Sequence, residues 1–471
     1  MCQERHMRKK KWLRHLFSEI ALGGNHHMAK WCKIYALILM LSLTAACSNS
    51  EGLYTKSNTS EASAPTKKIK ILFLSISDSN VREKIRKDYI EANLEKELPF
   101  IELEYDLGGG GQEYANRLKI YNSSGNMPDV WFSEQNLSTV VIDSGNALDL
   151  APYIYKWGFD KKFTDKDFLA PDKNGRIYSV QSGNDRFTSP RLWYHKNIFE
   201  KYGLQVPDTY DQLLEVCQRL KENGIVPISI IGRDGWTVNL HLLQTMIMAE
   251  DPQVAVDMVN GDTDFNNPVV KRALERIVKL VQVGAFPENV ASLDYEPAIN
   301  LYTSGEAAML SAFSWELKRL EKLSPDTDFI PWPSVNGGTD NTKAVQYWGA
   351  PLSGYMVWAK TENPEAAARF AMYCATQDAL FYNIENKSPT MLDTGVKIDN
   401  LSALAKKDLV QLDQAHIKVP SIWSAAFNTR VSAEISVQNS KLLTGKYSPD
   451  EYIKVINPVW LENAEEIKNR K

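Results

Sequence analysis

Two spacings of apolar residues alternate along the chain. Short apolar runs stand at 69–76 (IKILFLSI), 100–105, 192–194 (LWY) and 228–231 (ISII). Their length and β-branched content suit strands buried in a sheet. Between them, apolar residues recur every three or four positions, the spacing of a helix with one buried face. The stretch 192–231 shows both patterns. After its first run, residues 197–202 make about one helical turn closed by Gly203. Pro207, Asp208 and Thr209 start a second helix, whose Leu213, Leu214, Val216, Cys217 and Leu220 share a face until Asn223 and Gly224 stop it. Upstream, the same order predicts a strand at 69–76, a helix at 78–98, a strand at 100–105 and helices at 112–121 and 138–145. Alternation of this kind predicts an α/β fold in which helices cover parallel sheets.

Composition narrows the function more than the fold. With 471 residues and 44% apolar content, the chain can fill two to three domain cores. A net charge of −4, with no long basic run beyond the N-terminus, gives no footprint for nucleic acid. Twelve Trp and twenty Tyr mostly serve cores, but they also suit a protein that stacks on flat or sugar-like ligands. Cys217 and Cys374 lie in helical apolar runs and are expected to be buried free thiols. The glycines at 108–111 lack a following Gly-Lys-Ser/Thr, and Glu113 stands where a dinucleotide fingerprint needs its last glycine, so they read as a loop. His195, His241 and His416 are far apart, and neither H-E-x-x-H nor G-x-S-x-G occurs. Paired carboxylates could in principle make a glycosidase, but no motif singles out a pair. The expectation is a non-enzyme with no cofactor and no metal.

At the N-terminus, Lys30 and Lys33 precede ten nearly continuous apolar residues at 34–43, followed by Thr44, Ala45, Ala46 and Cys47. These are the charged, apolar and cleavage regions of a signal peptide, and the run is too short for a permanent membrane span. Cys47 after small residues resembles a bacterial lipobox and is expected to become the lipid-bearing first residue. Residues 1–27 do not fit a signal, so either Met28 is the true start or they form an N-terminal extension of the signal. The polar stretch 48–66 reads as a flexible tether, able to span roughly 25 Å on average.

The run built on Leu192, Tyr194, Lys196, Phe199, Lys201, Gly203, Leu204, Pro207, Thr209, Tyr210 and Leu213 resembles a recurring segment of the extracellular solute-binding proteins of ABC importers, family 1, the large sugar-binding type. His195 and Tyr210 replace that family's usual Asn and Trp. Further matches follow in the family's order: Pro128-Asp129-Val130, then Gly305 to Trp315 for "G-x-A-A-M-x-x-x-G-x-W", with Phe313-Ser314 in place of the glycine region. Asn363-Pro364-Glu365-Ala366-Ala367 and Ser448-Pro449-Asp450-Glu451 come last. The resemblance covers residues 68–457.

It implies a two-lobed, periplasmic-binding-protein-like α/β fold of type II, each lobe a sheet flanked by helices with a ligand cleft between. After a signal at 1–46 and a tether at 47–67, the first lobe would comprise 68–189 and 347–388, the second 190–346 and 389–471. Cys217 and Cys374 would then lie in different lobes. The implied function is capture of a carbohydrate, best an oligosaccharide, by a monomeric lipoprotein on the outer face of the bacterial membrane, for delivery to ABC permease subunits. The implied ligand-binding residues are Glu134, Gln135, Asp234, Trp236, Trp315, Trp348 and Trp423. Indole rings would cover a sugar's C–H face while carboxylates and amides take its hydroxyls. Trp193 and Trp358, inside strand runs, are expected in the core instead. The alternatives are a binder of another solute, a surface sensor and, last, a carbohydrate-active enzyme.

Overall fold

The computed structural model describes residues 68–77, 80–109, 111–133, 135–181, 189–335, 344–347, 354–423 and 429–470. The expected signal, Cys47 and tether lie outside them. One four-stranded sheet has the order β2-β1-β3-β9, from β1 (Ile69–Ser75), β2 (Ile101–Leu107), β3 (Val130–Ser133) and β9 (Gly354–Val357). A second has the order β5-β6-β4-β7, from β4 (Arg191–His195), β5 (Val226–Ser229), β6 (Ala307–Ala312) and β7 (Thr327–Pro331). Each sheet is wrapped by its own helices, giving two α/β lobes.

The sheets are mixed rather than purely parallel, and the chain's path explains why. β1 runs parallel to β2 and β3, and β5 parallel to β6. β4 and β9 run antiparallel to their neighbours. Both are the first strand laid down after the chain crosses between lobes. They enter at the edge where the parallel strands end, so they must run away from it. Gly354 opens β9 at φ +139°, and a Cβ there would stand 2.1 Å from the Val180 carbonyl oxygen. Only glycine lets the entering strand lie so close to the neighbouring backbone.

The crossings are tied together by hydrogen bonds. β8 (Ala344–Tyr347) and β10 (Ile417–Pro420) pair in parallel as a small sheet of their own. The Gln346 N–H donates to Ser189 Oγ at 2.6 Å, joining the first crossing to the second. Gln244 Nε2 donates to the Pro420 carbonyl at 2.9 Å, and Gln244 Oε1 accepts from the Ile422 N–H at 2.8 Å. The third crossing lies beyond Pro389: Met391 still accepts from the Thr164 N–H and the Asp393 N–H donates to Lys162, whereas Leu404 packs with Trp193.

Local sequence explains most elements. Thr209 caps the helix Tyr210–Glu222 through a capping box with Gln212. Leu213, Val216, Cys217 and Leu220 are buried, Leu214 only half so. β5 begins two residues before the apolar run at 228–231, because pairing with β6 aligns Val226 with Ala307 and ends at Ser229 opposite Leu310. Cys217 and Cys374 are free, buried, and lie in different core clusters. Trp193 is fully buried 4.8 Å from Phe329, while Trp358 is half-buried at the margin of a core.

Candidate functional site

Parallel α/β sheets carry ligands beyond the carboxyl ends of their strands. In the second lobe, two loops leave adjacent parallel strands there. The loop after β5 leads through Arg233 and Asp234 into the short helix Gly235–Val238, which carries Trp236. The loop after β6 carries Phe313 and Trp315. The indole of Trp236 lies nearly parallel to the Phe313 ring, 16° off with centroids 5.8 Å apart. Trp315 lies 27° off the same ring at 4.3 Å. Phe313 is buried, and both Trp residues are half-buried. The result is an aromatic wall with a closed centre and two partly open outer rings.

Polar contacts fix this wall from behind. His241 packs on Phe313 at 4.1 Å, and its Nδ1 lies 2.6 Å from Ser311 Oγ, which also accepts from Trp332 Nε1 at 3.1 Å. Burial pushes the His241 imidazole down to about 3, so it stays neutral. His241 and Ser311 do not make a base and nucleophile: both are fully buried and His241 has little affinity for a proton. Trp315 Nε1 donates to Tyr295 Oη at 2.6 Å, and the Tyr295 hydroxyl donates to Glu316 Oε1 at 2.6 Å.

Asp234 is exposed at the mouth of the helix that carries Trp236. Desolvation by its surroundings pushes its carboxyl up, the Asp294 charge adds to this, and Arg233 counters it. Arg233 itself pairs with Asp294 at 2.6 Å. Trp423 follows β10 and packs, half-buried, against the second lobe's core. Gln135 is the first residue of the helix Gln135–Asp143, which follows β3. Glu134 and Trp348 lie outside the described residues. The structure therefore brings Trp236 and Trp315 together, with Asp234 beside Trp236.

Phe313, which joins the two indoles, is missing from the residues the sequence singles out. Its one signal is its place in a motif position usually held by glycine. Arg82 is another residue that reading passes over. It lies at the carboxyl edge of the first lobe's sheet, beside Ser75 and Phe132, with its guanidinium 5.0 Å from the Phe132 ring centre. Arg82 Nη1 stands 3.6 Å from Asp378 Oδ2, which accepts from the Tyr355 hydroxyl at 3.0 Å. In sequence nothing separates Arg82 from Lys84, Arg86 and Lys87 on the same helical run. Among the described residues, no three His, Cys, Asp or Glu side chains stand close enough to hold a metal ion. No described helix is long and apolar enough to cross a membrane.

A sequence profile of the bacterial extracellular solute-binding proteins matches residues 77–380. An uncharacterized ABC transporter extracellular-binding protein of Pyrococcus horikoshii is 25% identical over 385 residues, 80% of this chain and 84% of that one. The multiple sugar-binding protein of Streptococcus mutans is 23% identical over 306 residues, 61% of this chain and 71% of that one. Among solved structures, a chitin oligosaccharide binding protein superposes with a TM-score of 0.70 at 18% identity, over 84% of this chain and 99% of that one. At such identity the superposition speaks for the fold alone.

Proposed function

Because the chain belongs to the family of bacterial extracellular solute-binding proteins, we propose that it captures a carbohydrate between its two lobes and hands it to the permease of an ABC importer. It is a binding protein rather than an enzyme. The observation that carries the carbohydrate reading is the wall of Trp236, Phe313 and Trp315 at the carboxyl ends of β5 and β6. A pyranose has an apolar C–H face that suits a half-exposed indole, and hydroxyls that suit a neighbouring carboxylate such as Asp234. Two indoles set on one buried ring give room for more than one sugar ring, which favours an oligosaccharide. The multiple sugar-binding relative supports the same class.

On this reading Glu134, Gln135, Trp348 and Trp423 complete the contacts, and Arg82 supplies charge from the first lobe. The protein acts as a monomer tethered by a lipid on Cys47, with a first lobe of 68–189 plus 347 to about 393 and a second of 190–346 plus the remainder. Changing Cys47 to Ala releases it from the membrane fraction on this account, and unaltered attachment refutes the anchor. The ligand class is tested by thermal unfolding over mono- and oligosaccharides. A ligand at a hundred times its dissociation constant adds about 2.7 kcal/mol of stability. A panel of neutral, amino and acidic sugars that leaves the transition unmoved, while another solute class raises it, overturns the reading.

A further inference from the structure

Stacking on Phe313, 27° off at 4.3 Å, is one restraint on the Trp315 indole. Trp315 has a second restraint. Its N–H donates to Tyr295 Oη, whose own hydroxyl donates to Glu316 Oε1, both at 2.6 Å. We infer that Tyr295 and Glu316 are positioning residues, which through this two-bond relay hold the Trp315 ring in the plane that meets the ligand. The inference rests on the reading of Trp315 as a ligand-stacking residue.

Direction is what makes the relay work. An ionised carboxylate can only accept, so Tyr295 must point its single proton at Glu316. Its oxygen is then left to accept from the indole. Indole N–H can only donate, so no other arrangement satisfies all three groups. A protonated Glu316 can donate to the Tyr295 oxygen itself and so competes with the indole. The charged and titratable groups around Glu316 come from two helices. Tyr295 and Glu296 belong to the helix Tyr295–Thr303. Arg319 belongs to the helix Leu317–Leu320, with Nη1 4.0 Å from Glu316 Oε2 and Nη2 3.0 Å from Glu296. Lys318 donates instead to the Glu385 carbonyl of the first lobe. Burial raises the proton affinity of Glu316, while Tyr295 and Arg319 lower it, and burial prevails. The ionised, relay-competent form is therefore present at high pH and is lost as pH falls through a carboxyl value above the usual range.

The test labels the full chain with 5-fluorotryptophan and assigns the Trp315 signal as the one missing from Trp315→Phe. The wild-type signal should shift and broaden as the pH is lowered from neutral towards the ordinary Glu value of about 4.3, as a raised carboxyl titrates. Glu316→Gln keeps an acceptor for Tyr295 but cannot ionise, so its Trp315 signal should stay in place over that range. Tyr295→Phe should move the signal at every pH. Raffinose and chitotriose, titrated into the same proteins, read the consequence. Tyr295→Phe should weaken whichever sugar the wild type binds roughly fivefold, as loss of one neutral hydrogen bond does. A Trp315 signal that ignores pH in the wild type and ignores Tyr295→Phe overturns the relay, even if Trp315→Ala abolishes sugar binding. Binding of neither sugar, with the pH response present, leaves the relay standing and counts against the sugar reading instead.

Discussion

Asp378 shows how a single side chain can cost stability where it serves position. It is completely buried, and burial pushes its carboxyl up to about 6, against the opposing pull of Arg82 and the Tyr355 hydroxyl. A carboxyl raised in the folded state binds its proton more tightly there than in the unfolded chain. Its contribution to stability is therefore largest at low pH and is lost as pH rises through about 6. Asp378→Asn should unfold at higher urea than the wild type at neutral pH. That advantage should shrink as the pH is lowered towards the ordinary Asp value of about 4. A constant difference between the two proteins across that range contradicts the assignment. None of this was legible in the sequence, where Asp378 is one polar position in an apolar helical run. Its burial comes from packing against Tyr355 and Arg82, which are distant in the chain.

At the scale of elements, legibility followed the range of the interaction. The helix Tyr210–Glu222 was readable because its cap, its apolar face and its stop lie within a few residues of one another. The ends of β5 were not, because pairing with β6 sets them. The aromatic wall was half readable: Trp236 and Trp315 each stood out in a motif or a turn. Their meeting on Phe313 depends on two loops brought together by β5 and β6. Gly235 makes the close fit possible. A Cβ there would stand 2.1 Å from Ser436 Oγ and 2.6 Å from Ser436 Cα, so the helix bearing Trp236 lies directly on the helix Thr429–Leu442. Gly235→Ala should cost about 1–3 kcal/mol in chemical unfolding, as overpacking does. Adding Ser436→Ala should not restore it, because the backbone clash remains. Full rescue by the second change contradicts this picture of the contact.

For the whole molecule, the order of strands and helices pointed to an α/β fold and the family resemblance to two lobes, but neither to their antiparallel members. Those follow from where the chain enters each lobe, a property of the path rather than of any segment. The same path places the carboxyl edges of both sheets at the crossings, where Ser189, Gln244 and Gln346 bind the connecting strands to one another. On the proposed reading, the lobes approach over a ligand while each keeps its own core. Ligand can drive that approach only through contacts it makes better in the closed form. Small-angle scattering should then show a smaller radius of gyration in the saturated protein, and an unchanged radius contradicts closure. The most direct test of the central claim is a calorimetric titration of wild type and Trp315→Ala with one oligosaccharide that the wild type binds. Loss of a stacking indole at a buried contact should cost at least about 2 kcal/mol, or roughly thirtyfold in affinity, with unliganded stability nearly unchanged. Wild-type affinity in Trp315→Ala contradicts the account.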